Sequence, residues 1–124
     1  MKTNELTGPA LDWAVAKCLN CEYVFIGVDA VFVLDSFGED VTWQPSTNWA
    51  QGGPIIEREK ISVIRNIGGS WRGSIRHTTS HPLVAHPVLD GWTNRHGETP
   101  LIAAMRCYVA SKLGYEVDVP EELL

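Results

Sequence analysis

Residues 43–54 crowd two tryptophans (Trp43, Trp49), three amides (Gln44, Asn48, Gln51), two hydroxyls (Ser46, Thr47) and the run Gly52-Gly53-Pro54 into twelve positions. Indoles offer flat stacking faces, amides and hydroxyls offer neutral donors and acceptors, and glycine permits positive φ or a close backbone approach. Pro45 and Pro54 stiffen the segment. This is the chemistry of binding, because no strong nucleophile or base stands among these side chains. As a ligand loop, the segment would stack Trp43 or Trp49 on a flat ring while Ser46, Thr47, Asn48 and Gln51 read its edges. The competing reading makes both indoles core anchors and the polar residues caps of loop backbone.

A ring-bearing anion also needs cations. The chain has a formal net charge of -5, which argues against tracking a long phosphate backbone. Its charges are uneven: Arg58, Lys60, Arg65, Arg72, Arg76 and Arg95 face only Glu59 and Asp90 between positions 58 and 95, six cations against two acids, a local +4. Arg58, Arg72 and Arg106 are the candidates to hold a phosphate beside the loop, which suits a small anion. The alternative is that these arginines lie on solvated faces with no ligand.

The other constellations are weaker. Cys18-Leu-Asn-Cys21 has the spacing of half a zinc site, but Cys18 falls on the apolar face of a helix. His77, His81, His86 and His96 cluster without metal-ligand spacing on a regular element. Glu57 and Glu59 would share a face if extended, with no base or nucleophile placed beside them. Gly68-Gly69-Ser70 lacks the lysine of a phosphate-binding P-loop. No catalytic residue, metal or cofactor is assigned.

The elements that must position these groups are legible in part. Leu11, Ala14, Val15, Cys18 and Leu19 recur with helical period, so about Thr7 to Leu19 is an amphipathic helix, with Thr7 as cap and Leu6 meeting Leu11 as a staple. Glu22 to Leu34 is strand, bent or divided at Gly27 to Asp29, and a short strand leads into Trp43. Ile61 to Ile67 and Trp71 to His77 form a hairpin around Gly68-Gly69-Ser70. Thr78 to Glu98 is a long loop, and Thr99-Pro100 opens a second helix that Gly114 ends, with Arg106 and Tyr108 off its most apolar stripe. Glu116 to Pro120 alternates like a short edge strand. The expected fold is α+β: a mostly antiparallel sheet of four or five strands layered with an N-terminal and a C-terminal helix.

A chain of 124 residues, 44% hydrophobic and 20% charged, fits one domain spanning residues 1–124. The first residues lack the apolar core of a signal peptide and no run is long enough to span a bilayer. Three cysteines, an odd number, suit reduced thiols. A cytosolic protein is expected.

Three blocks are familiar: Glu5-Leu-Thr-Gly with Leu11-Asp-Trp-Ala-Val-Ala-Lys-Cys18, Pro45-Ser-Thr-Asn-Trp-Ala-Gln-Gly-Gly-Pro-Ile-Ile-Glu-Arg-Glu59, and Thr99 through Gly114. Together they resemble the NinX-like group of small phage and prophage proteins, also described as the phage ABA-sandwich domain. That resemblance implies a phage-encoded protein with a layered α/β fold, working in the host cytoplasm, and implies no activity. Nothing functional is carried over onto Asn20 to Val41 or Thr78 to His96. The expected function is capture of a small nucleotide-like anion without turnover, of the kind that would sequester an immune signal. The alternative is an interaction module docking on a host or phage protein through exposed tryptophans. Self-association is expected under either reading, since a small domain with a long apolar strand gains by covering its edge.

Overall fold

Thr99 and Pro100 start the helix with the most buried residues. The computed structural model describes residues 1–21, 23–76 and 92–124. In α3 (Pro100–Leu113) the Thr99 hydroxyl accepts the Ile102 N–H at 3.1 Å, and Gly114, at φ 87°, ends the helix as expected. Leu101, Met105 and Val109 are buried, and so are Ala103, Ala104, Cys107, Tyr108 and Ala110, so most of the circumference is covered. The expectation that Tyr108 leaves the apolar stripe is corrected: it is 2% exposed and part of the core. The alanines explain why. They let other elements approach α3 from several sides, which an amphipathic surface helix does not allow.

Helix α1 (Gly8–Cys18) packs on α3 through Leu11, Ala14 and Val15. Leu6 and Leu11 are both fully buried in the same cluster, as a staple requires. Thr7 holds the cap position but makes no side-chain capping bond.

Local pairing builds two antiparallel sheets. The first contains β1 (Val24–Gly27), β2 (Ala30–Leu34) and β3 (Asp40–Thr42) in that order. Strands β1 and β2 divide at Val28-Asp29, as the sequence suggested, and the Asp35 carboxylate closes the β2–β3 turn by accepting the Phe37 and Glu39 N–H groups at 2.8 and 2.9 Å. The second sheet contains β4 (Ser62–Arg65), β5 (Trp71–Arg76) and β6 (Trp92–Gly97). The expected hairpin is β4–β5, turned at Gly69 with φ 95°.

The α+β class is therefore observed, while the single sheet of four or five strands is replaced by two three-stranded sheets. The cause is a helix where a loop was expected: α2 (Trp49–Glu59) separates β3 from β4. The expected loop from Thr78 to Glu98 is corrected at its end, where Trp92–Gly97 pairs with β5; its earlier residues lie outside the described ones. The Glu116 to Pro120 segment supplies only an isolated bridge, Lys2 to Glu116, in place of a strand.

The second sheet sits unusually close to α3. A β-carbon on Gly73 would stand 2.6 Å from the Ala103 carbonyl oxygen, and one on Gly97 would stand 2.6 Å from the Ala103 nitrogen. Residues 71, 73 and 75 of β5 therefore face the helix. Alternation then puts Arg72, Ser74 and Arg76 on the outer face, opposite His96, Asn94 and Trp92 of β6.

Candidate functional site

Asn48, assigned above to ligand contact, starts α2: its side-chain oxygen accepts the Ala50 N–H at 2.9 Å. Gln51 is equally committed. Its Oε1 accepts the Gln44 N–H at 2.6 Å and its Nε2 donates to the Thr42 carbonyl at 2.8 Å, tying the end of β3 to the helix. Gly52 is the residue where a close approach matters, since a β-carbon there would meet the Pro45 oxygen at 2.4 Å. Neither Gly52 nor Gly53 has positive φ, and Gly53 has open space about it. Thr47 is exposed in the turn before α2, and Trp49 is 57% exposed on its first turn. Helical geometry also separates Glu57 from Glu59, which would share a face only in an extended chain.

Ser46 is buried beside Asp12. The Ser46 N–H donates to Asp12 Oδ1 at 2.9 Å, joining α1 to the segment that leads into α2. Burial raises the Asp12 carboxyl from its ordinary 3.8 to about 6, and the contacts with Ser46 pull it part of the way back.

The three candidate arginines do not converge on this segment. Arg58 pairs with its neighbour Glu59 at 3.3 Å. Arg106 donates from Nε to the Leu6 carbonyl at 2.7 Å and from an Nη to the His96 carbonyl at 2.9 Å, holding the N-terminal segment and β6 to α3. Arg72 lies on the outer face of the second sheet.

That outer face gathers the groups expected of the loop. Ser62, Ile64, Arg72, Ser74, Trp92 and Asn94 line a cleft of about 380 Å³. Arg72 Nε is buried there and has no hydrogen-bond partner among the described residues. Ser74 Oγ donates to Asn94 Oδ1 at 2.6 Å, and Trp92 is 56% exposed at the rim. The strands Ser62-Val-Ile-Arg65, Trp71-Arg-Gly-Ser-Ile-Arg76 and Trp92-Thr-Asn-Arg-His-Gly97 carry no acid at all. Beside Arg72, His96 Nδ1 lies 3.0 Å from Asn66 Nδ2. Sequence reasoning missed Trp92 and Asn94 because β6 was taken for loop, and with them the partner that marks Ser74; the alternation of Trp92, Asn94 and His96 was the available signal.

Trp43 belongs elsewhere. It is half-buried against the core, with its indole nitrogen buried and without a hydrogen-bond partner among the described residues, and it lines a cleft of about 520 Å³ beside the first sheet.

The thiols and histidines form no metal centre among the described residues. Burial pushes the Cys18 thiol up to about 12, which disfavours the thiolate that zinc requires. His77, His81 and His86 lie outside the described residues, and His96 is on β6.

Fold and surfaces together define a layered α+β domain with a basic outer sheet face and a separate aromatic cleft. The chain belongs to the bacteriophage P22 NinX family, whose model matches residues 2–112. The resemblance of the three blocks is thereby borne out, and it extends across the segments between them. No curated protein matches the chain. Among the described residues, no helix is long and apolar enough to cross a membrane.

Proposed function

We propose that this phage protein binds a small, ring-bearing anion of nucleotide type on the outer face of its second sheet, without chemical turnover. The observation that carries the reading is Arg72: a guanidinium nitrogen buried without a partner among the described residues, in a cleft rimmed by an exposed indole. Arginine holds phosphate through charge-assisted hydrogen bonds, and a base stacked on Trp92 adds about 1–3 kcal/mol. Turnover is disfavoured because, of the two hydroxyls lining the cleft, that of the buried Ser74 gives its proton to an amide oxygen, which is no base. Of the loop residues, Trp43, Ser46, Asn48, Gln51 and Gly52 support the fold or the other cleft, Thr47 and Trp49 are exposed, Gly53 has open space about it, and Arg72 carries the site.

Sequestration of a host nucleotide signal follows from this reading by analogy with phage accessory proteins, and geometry adds nothing to it. The test is a calorimetric and thermal-shift panel of mono-, di- and cyclic nucleotides against the wild type and Arg72→Ala. Binding that Arg72→Ala weakens at least about tenfold supports the reading. A panel in which no nucleotide binds sinks it.

Exposed apolar groups favour a second reading, a docking module for a host or phage protein or for a second copy of the chain. Val28 is 95% exposed and Phe37 is 88% exposed, both in turns of the first sheet, and Trp49 is 57% exposed on α2. Sedimentation of the pure protein across salt concentrations, followed by pull-down with Trp49→Ala, separates these partners from a small ligand.

A further inference from the structure

The cleft beside Trp43 is the largest concavity described above, and its chemistry is the opposite of the Arg72 face. Tyr23 and Trp43 supply aromatic surface, and Val33 and Val41 supply aliphatic wall. Gln51 lines it too, but both ends of its amide are already bonded to backbone, so it acts as wall. The one carboxyl group among the lining side chains is that of Asp35, held in place by the Phe37 and Glu39 N–H groups on Oδ1. The strands and turns that form it add to the negative field: residues 23–43 hold Asp29, Asp35, Glu39 and Asp40 and no lysine or arginine.

Each class of occupant meets these groups differently. An anion would face Asp35 with no lysine or arginine among the lining side chains. A neutral ring would gain only apolar contact. A cation carried on an apolar body gains the apolar contact, the ring quadrupoles of Tyr23 and Trp43, and the Asp35 carboxylate together. We propose that this cleft is a second binding site, independent of the Arg72 face, for an organic ammonium ion with an aromatic or alkyl body.

Three probes sharing one ring test the charge preference on the full chain by titration calorimetry and indole N–H shifts: benzyltrimethylammonium, benzyl alcohol and benzoate. The cation should bind about tenfold more tightly than the alcohol, with benzoate not binding. Asp35→Asn keeps an oxygen to accept the two turn N–H groups while removing the charge. It should weaken the cation about fivefold and leave the alcohol unchanged. Binding of the cation should survive Arg72→Ala, which separates this site from the anion face. Equal affinity for cation and alcohol, binding of benzoate, indifference of the cation to Asp35→Asn, or no binding of any probe each overturns the proposal.

Discussion

Gly73 on β5 lies directly against Ala103 on α3, with room for no side chain between them: an added β-carbon would come within 2.6 Å of the Ala103 oxygen and 3.0 Å of the Ala104 Cα. The obstacle is backbone, which cannot rotate away as a side-chain tip can. Gly73→Ala should therefore destabilise the fold by about 1–3 kcal/mol, the usual range for overpacking, and Gly97→Ala should act likewise. Urea unfolding midpoints measure both. A loss below about 0.5 kcal/mol at either position would show that sheet and helix separate readily.

Asp12 gives the stability a pH dependence of defined sign. Its carboxyl is raised from 3.8 to about 6 by burial, so the folded chain holds the proton more tightly than the unfolded one. Stability must fall as pH rises from about 4 to about 6, and the full penalty, about 3 kcal/mol, persists above that range. Asp12→Asn retains an oxygen for the Ser46 N–H and removes the ionisation. Relative to wild type it should gain stability as pH goes from 4 to 7.5, and a mutant-to-wild-type difference that is flat over this interval would refute the assignment.

Arg106 is expected to matter for folding and not for ligand. It satisfies the Leu6 and His96 carbonyls, two partners distant in sequence from each other. Arg106→Ala should cost about 1.5–3 kcal/mol, with Arg106→Lys recovering part of it, as hydrogen bonds from a charged donor do. Chemical denaturation of the three proteins, alongside nucleotide affinity at a temperature where all are folded, separates the two roles.

The two tryptophans of the 43–54 segment should differ in kind. Trp43 is packed against the core, whereas Trp49 is 57% exposed. Trp43→Ala should destabilise by about 3 kcal/mol and Trp49→Ala by less than about 0.5 kcal/mol. Thermal melts of both variants decide this, and equal losses would contradict the packing described.

Where side-chain period and turn chemistry agree, the elements follow from the residues: α1 from its apolar stripe, α3 from Thr99-Pro100 and Gly114, β4–β5 from its glycine turn. Helix α2 was obscured because Gly52-Gly53-Pro54 reads as a turn, although Gly52 is there to let the Pro45 carbonyl come close. Asn48 followed three residues later by Gln51, ahead of Ile55-Ile56, was the helix-start signal that outweighed it. Strand β6 was obscured because its helix-facing positions, Thr93, Arg95 and Gly97, are not apolar. Glycine is needed there for proximity, and proximity between distant segments leaves no local trace in a sequence. For the same reason Arg72 was named as an anion ligand while its neighbours Trp92 and Asn94 were not.

The strict alternation of β5 and β6 also bears on how such a protein can change over time. Positions 73 and 97 admit almost nothing but glycine, while positions 72, 74, 92 and 94 line the cleft on the opposite face and meet no such backbone limit there. Drift at those outward positions can exchange one small molecule for another without disturbing the layer beneath. A lineage under pressure to track a changing target could thus vary its recognition surface while its architecture stays constant.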